Sequence, residues 1–331
     1  MKKITIKEIA RKAGVSQGLV SVVLNNKLNE KIFVSEEKRK KILEIVKKER
    51  YFPNKFAKAL VTGKTNTIGV IVKNLSPYFS LLLENLQKCL FKKGYDIIPY
   101  VIEEKKKEKE KEVFEIAYRN IIDGIIITSY LNKPENYQKY SKLYNLKILT
   151  ITPPIGNLPC VYFDEKEAGK IAAEYLIKTG CRKLCVAGVY QYSERSTGFV
   201  EVAKKNNLEV ITLISNKGDH FSDGMEIVKM LFKLPVMPDG IFAFNDMIGA
   251  ILISEINKRG LKIPDQISVI GCDNTQLCHY TTPNMTSIDT LTEKRAKLAS
   301  EMIINLIEGK EIEKRQVILK PKIIVRESTK K

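Results

Sequence analysis

From Thr67 onward, short apolar runs rich in β-branched residues alternate with longer amphipathic runs, and this alternation limits the fold more than any other feature. Residues 68–72 read as a buried strand, 81–91 as a helix closed by Gly94, and 96–101 as a second strand. A helix over 103–119, a strand over 121–128, a helix over 137–144 and a strand over 147–151 continue the series. A second set opens at Val161-Tyr162-Phe163-Asp164 with a helix over 165–179. Strands are expected at 183–188, 209–214, 240–244 and 268–271, with helices at 196–206, 222–232 and 246–259 between them. Such alternation predicts parallel sheets with helices on both faces. Two sets, with a carboxy-terminal part returning between them, predict two lobes that close on a small molecule.

In open α/β sheets ligands bind beyond the carboxyl ends of the strands. That rule selects Tyr78 and Phe79 after the first strand, Thr128 and Ser129 after the third, Tyr190 after the fifth, Asn245 and Asp246 later, and Asp273 last. Polar side chains beside an aromatic platform suit a sugar or a nucleobase, through directional hydrogen bonds and a flat apolar face. For Phe79 and Asn245, core packing or helix capping is the alternative role.

The first 65 residues follow a different pattern. They hold 17 Lys and Arg against 6 Asp and Glu, a net of +11 out of +18 for all 331 residues. Concentrated positive charge is the footprint of a nucleic-acid-binding segment. Thr5-Ile6-Lys7-Glu8 fits a capping box opening a helix that stops near Ala13-Gly14, where glycine accepts a positive φ. Val15 packs into the turn and Ser16 caps a second helix, Gln17–Leu24, so that Ile6, Ile9, Ala10, Val15, Val20 and Val23 form a small core. Helix, tight turn and capped helix make a helix-turn-helix, whose second helix lies in a DNA major groove. Ser35 caps a third helix whose apolar stripe is Ile42, Leu43, Ile45 and Val46. A short segment from Pro53 to Gly63 reads as barely two helical turns, too few to be stable alone in water.

Taken together, Ile9-Ala10, Ala13-Gly14-Val15-Ser16, Val20-Ser21, Val23-Leu24-Asn25 and Pro53-Asn54 through Ala59-Leu60 resemble the lactose/galactose-repressor (LacI/GalR) family. The resemblance continues through Lys178-Thr179-Gly180-Cys181-Arg182-Lys183, Arg195-x-x-Gly198-Phe199, Asn245-Asp246-x-x-Gly249-Ala250 and Ser268-Val269-Ile270-Gly271-Cys272-Asp273. It implies an all-α helix-turn-helix DNA-binding head plus a hinge helix, joined to an α/β two-lobed core like that of periplasmic binding proteins. The implied divisions are a head at 1–52, a hinge helix and linker at 53–66, and an effector-binding and dimerisation core at 67–331. Within that core the first lobe takes about 67–160 and 290–318, and the second about 161–289 and 319–331. The implied DNA contacts are Thr5, Ser16, Gln17, Gly18, Ser21, Val22, Asn25, Asn54 and Ala57, with Leu60 wedged into the minor groove. Two positions depart from the family, Gly18 and Val22, so Gln17 can fork to adenine and Val22 can touch a thymine methyl, but no arginine–guanine fork is available. The resemblance adds Arg195 to the effector contacts; for Arg195 and Asp273 alike, a cross-cleft or capping salt bridge is the alternative role. It also implies an aromatic ligand platform near His220 or Phe221, and a polar residue at Thr290.

The expected partners are a pseudo-palindromic double-stranded DNA operator, a small-molecule effector (a sugar or sugar derivative) and a second copy of the chain in a homodimer. No membrane partner is expected, because there is no apolar run of spanning length, no signal-peptide core and no lipidation motif. A cytoplasmic location follows. The six scattered cysteines and two histidines lack metal-ligand spacing, so no metal, cofactor or disulfide framework is expected. A solute-binding protein would call for an export signal, and an enzyme would call for a P-loop, G-x-G-x-x-G or nucleophile elbow that the chain lacks.

Overall fold

The computed structural model describes residues 4–24, 34–52, 63–102, 109–119, 122–129, 136–188 and 193–331. They belong to two compact units, Met1–Thr65 and Asn66–Lys331. The first contains α1 (Ile6–Ala13), α2 (Gln17–Leu24) and α3 (Glu36–Lys48). Thr5 forms the capping box: its backbone N–H donates to Glu8 Oε2 at 2.7 Å while its Oγ1 accepts from Glu8 N at 3.3 Å. Gly14 ends α1 at φ +72°, and Val15 N returns to Ala10 O at 3.0 Å, which sets the tight turn. Ile9, Ala10, Ala13, Val20, Val23, Val34 and Ile42 form the core. Leu43 departs from expectation and is exposed, because Ile42, Ile45 and Val46 at i, i+3 and i+4 already fill the inward face of α3. Asn25, and the hinge segment with Asn54, Ala57 and Leu60, lie outside the described residues.

The second unit contains two six-stranded sheets. One runs in the order β11 (Gln316–Leu319), β5 (Cys160–Phe163), β4 (Lys147–Thr150), β3 (Gly124–Ile127), β1 (Thr67–Val72), β2 (Asp96–Val101), all parallel. The other runs β12 (Lys322–Ile324), β10 (Thr286–Asp289), β9 (Ser268–Cys272), β8 (Gly240–Ala243), β6 (Leu184–Gly188), β7 (Val210–Ile214), with only the β10–β12 pair antiparallel. In the first sheet, Val70, Val72, Ile126 and Leu149 pack on one face against Leu82, Leu86 and Leu90. Ile71, Ile125, Ile127 and Ile148 pack on the other against Phe114, Tyr137 and Tyr140. Both faces are therefore dry, as an all-parallel sheet requires.

Two expectations need correction. The strand expected to open the second set, β5, belongs to the first sheet, where Thr150 faces Cys160 and Val161 faces Val317. The chain changes lobes only after it, at Asp164, whose carboxylate accepts from Glu167 N at 2.9 Å and caps the next helix. The helix after β1 begins at Pro77 rather than residue 81, because proline is well suited to a first helical turn. Tyr78 and Phe79 therefore sit on a rigid helix, α4 (Pro77–Phe91), and not on a loop.

The other core helices are α5 (Lys109–Arg119), α6 (Asn136–Leu143), α7 (Glu165–Lys178), α8 (Glu194–Lys205), α9 (His220–Leu231), α10 (Asp246–Lys258), α11 (Leu277–Tyr280) and α12 (Thr292–Glu308). After β10 the chain crosses back, and α12 packs with α4 against the first sheet, burying Ala296, Ala299 and Ile303. Five of the six cysteines are buried, Cys89 is half-buried, and all are free thiols.

Candidate ligand cleft and nucleic-acid interface

A cavity of about 420 Å³ opens where strands of both sheets end. Lys73 and Asn74 follow β1, Thr128 and Ser129 follow β3, and Thr152 follows β4; Phe244, Asn245 and Asp273 come from the second lobe. Tyr78 and Phe79 enter from the first turn of α4 with rings 4.9 Å apart in an edge-on pair.

Arg195 organises one side. It is buried on α8, pairs with Glu165 through Nε, donates from Nη1 to Phe244 O at 2.6 Å, and places Nη2 3.6 Å from Asp273 Oδ1. Its position depends on helix packing. A Cβ added to Gly169 of α7 would lie 1.9 Å from Arg195 O, and one added to Gly198 of α8 would lie 1.9 Å from Lys166 O. The two helices thus touch backbone to backbone, and only glycine permits that spacing.

Asp273 sits at φ +112°, a conformation few side chains adopt, at the sharp turn after β9. Burial pushes its carboxyl up to about 8; the guanidinium of Arg195 opposes the rise, and Asp246 and Glu165 reinforce it. Asp246 is also buried and raised by desolvation, but both its oxygens are engaged. Oδ2 accepts from Thr275 N at 2.6 Å and Thr275 Oγ1 at 2.9 Å, and Oδ1 accepts from Ser287 Oγ at 2.6 Å. Asn245 caps α10, its Oδ1 accepting from Ile248 N at 2.9 Å, which leaves its Nδ2 facing His220 Nδ1 at 3.3 Å. Burial lowers the pKa of His220, and Lys73 lowers it further.

Of the residues expected around a ligand, Tyr78, Phe79, Ser129, Arg195, His220, Asn245, Asp246 and Asp273 line this one cavity. Phe221 does not: it is 64% exposed, and His220 is the member of that pair on the wall, since successive residues in a helical turn point about 100° apart. Tyr190 lies outside the described residues. Sequence reasoning missed Arg295, which is fully buried and donates to Tyr78 Oη and Thr290 Oγ1, both at 2.9 Å. Its guanidinium lies 4.8 Å from the ring centre of Phe163, and that of Arg195 lies 5.4 Å from the same ring. In the sequence Arg295 falls within Thr-Glu-Lys-Arg, which reads as a solvated helix face; only the return of α12 beneath the cleft reveals it.

In the first unit Gln17 and Gly18 are exposed at the start of α2, with Ser21 and Val22 half-buried one turn later. Ser16 Oγ accepts from Leu19 N at 3.2 Å, and Thr5 and Ser16 stand exposed at the two helix starts. The α2 segment carries no charged side chain, whereas Lys7, Arg11 and Lys12 on α1 and Lys38, Lys40, Lys41, Lys47 and Lys48 on α3 are exposed.

The family profile described as bacterial regulatory proteins, lacI family, matches residues 5–54, and that of the periplasmic binding protein-like domain matches 173–329. The NTD biosynthesis operon regulator NtdR of Bacillus subtilis (strain 168) is 30% identical over 98% of this chain and 99% of its own. The chain belongs to the lacI family of bacterial regulatory proteins. The HTH-type transcriptional repressor PurR of Vibrio campbellii is likewise 30% identical, over 99% of each chain. As a fold, this lacI-family member matches the lac repressor dimer solved with operator and the anti-inducer ONPF, at a TM-score of 0.86 and 20% identity over 100% of each chain. It also matches a lacI-family regulator from Enterococcus faecium solved with bound ribose, at a TM-score of 0.72 and 22% identity over 80% of this chain and 98% of that one.

Proposed function

We propose that this lacI-family regulator is a repressor that binds a pseudo-palindromic operator as a homodimer and releases or grips it according to a small molecule held in the cleft. The effector class is a sugar or sugar derivative, contacted by Tyr78, Phe79, Ser129, Arg195, His220, Asn245 and Asp273. One observation carries this reading: a single cavity takes polar and aromatic side chains from both lobes. A ligand there has different contacts in the open and closed forms, and only such a difference lets it bias one of them. The ribose bound to the Enterococcus faecium regulator supports the effector class.

In this reading Gln17, Gly18 and Val22 face base edges, Thr5, Ser16, Ser21 and Asn25 support the docking, Asn54 and Ala57 contact DNA from a hinge helix in residues 53–66, and Leu60 is wedged into the minor groove. The order of the hinge helix is, in this reading, coupled to closure of the cleft. The protein acts in the cytoplasm and catalyses no reaction. Among the described residues no helix is long and apolar enough to cross a membrane.

Selection of genomic fragments by the purified protein across a salt series tests the proposal. Sequence-selective binding that weakens steeply with salt is expected, because phosphate contacts release counterions. Salt-insensitive binding, or none, would overturn it.

A further inference from the structure

Five glycines lie inside helices among the described residues, and packing accounts for four of them. A Cβ added to Gly169 or Gly198 would lie 1.9 Å from a neighbouring backbone oxygen. One added to Gly224 or Gly249 would lie 2.5 Å from a packed side chain. Gly18 on α2 has no such reason. Its φ is outside the left-handed region, and an added Cβ would meet only Ser16 Oγ, at 3.9 Å. Glycine weakens a helix relative to alanine, so nothing in the head's own fold favours it here. The remaining use of glycine is to let a backbone come close to something outside the chain.

The neighbours of Gly18 limit what that can be. Val20 and Val23 turn into the core, so Gln17, Gly18, Ser21 and Val22 share the outward face of α2. Gly18 and Val22 are one turn apart, and helical side chains lean toward the amino terminus of their helix. Val22 therefore borders the open space at Gly18, and the two make a shallow apolar notch floored by backbone. Gln17 and Ser21 flank it with hydrogen-bonding groups, and α2 carries no charge. On the major-groove edges of DNA the one apolar substituent is the C5 methyl of thymine; the other groups displayed are hydrogen-bond donors and acceptors.

We infer that Gly18 and Val22 form a receptor for a thymine methyl group, one in each operator half-site, with Gln17 forked to an adenine beside it. The missing side chain at residue 18 lets the helix settle against the methyl, and Val22 covers it. Operator choice by α2 is then a choice of A·T pairs, while phosphate attraction comes from cations outside α2. This assignment rests on the operator reading of the head, but the two can fail separately.

Full-length protein is used to select from a pool of random-sequence duplexes, and gel-shift titration measures affinity for the enriched sequence. Each symmetry-related pair of thymines is then replaced by deoxyuridine, which removes the methyl and keeps the base pairing. One such replacement should weaken binding at least about fivefold. Gly18→Ala should weaken binding to the thymine duplex to a similar degree and abolish the preference for thymine over deoxyuridine, with thermal stability equal or higher. Val22→Ala should reduce the same preference. Deoxyuridine tolerated at every position, an arm that needs no protein variant, overturns the methyl receptor, while the enrichment itself upholds the operator reading. Gly18→Ala binding as tightly as the parent also overturns it. So does an equal loss on thymine and deoxyuridine duplexes, which would place a phosphate and not a base against the notch. If no sequence is enriched, the operator reading falls and takes this assignment with it.

Discussion

Arg195 and Asp273 face each other at 3.6 Å, both nearly out of water, yet the guanidinium makes closer contacts with Glu165 and the carbonyl of Phe244. Asp273 therefore shares its arginine with a second carboxylate and is held by it only weakly. Its proton affinity follows from that geometry, since burial penalises the charge, Asp246 and Glu165 add to the penalty, and Arg195 and Arg295 do not fully offset it. An acceptor of this kind, strained in its backbone and under-paired, is suited to being completed by a donor from outside the chain.

Replacing Asp273 with Asn tests this. The folded-state value of about 8 lies above the ~3.9 of an unfolded chain, so the native protein holds an extra proton between these values. Stability from this group is full below pH ~4 and lost as pH rises toward 8. Asp273→Asn should raise the Tm of the ligand-free protein at pH 7.5 by a few degrees, about 1–3 kcal/mol, and flatten its pH dependence between pH 5 and 8. It should also abolish the effector response. A pH profile parallel to that of the parent protein would count against a titrating Asp273.

Asp246 should behave in the opposite way. Its two oxygens collect three hydrogen bonds that tie the start of α10 to Thr275 and Ser287. Asp246→Ala leaves those donors unsatisfied in a buried place and should cost roughly 2–4 kcal/mol in chemical denaturation. A loss under about 0.5 kcal/mol would show that Thr275 and Ser287 find other partners.

The same contrast shows how far the chain could be read without its fold. Alternating apolar runs marked the strands because each sheet buries both faces, and strand ends then pointed to Tyr78, Ser129, Asn245 and Asp273. What stayed hidden depends on contacts distant in sequence. Arg295 looks like one more charge on a helix until α12 is seen to lie against Tyr78, 217 residues earlier in the chain. Glu165 looks like a helix-start acid until α8 brings Arg195 to it. The lobe assignment of β5 could not be read because its apolar run fits either sheet, and its pairing with β4 and β11 decides it.

Gly198→Ala probes how Arg195 is held. The added methyl would meet the backbone carbonyl of Lys166, which cannot rotate away as a side chain would. α8 must move off α7, carrying Arg195 from Glu165 and Asp273. Destabilisation of about 1–3 kcal/mol is expected, with a weaker effector response even at temperatures where the variant stays folded. Normal stability and response would mean that the helices separate without disturbing the cleft.

Leu60→Ser separates the two halves of the mechanism. In the proposed hinge reading, residues 53–63 would form a helix only when their surroundings reward it, and insertion of an apolar side chain between base steps would supply that reward by bending the DNA. Serine keeps the chain's reach but cannot displace water from stacked bases. Operator affinity in a gel-shift titration should fall at least about tenfold, while ligand-induced stabilisation of the core stays as in the parent protein, because binding to the folded core alone sets that shift. Unchanged operator affinity would remove Leu60 from the wedge role. A joint loss of both readouts would mean that the hinge contributes to the cleft itself and not only to the grip on DNA.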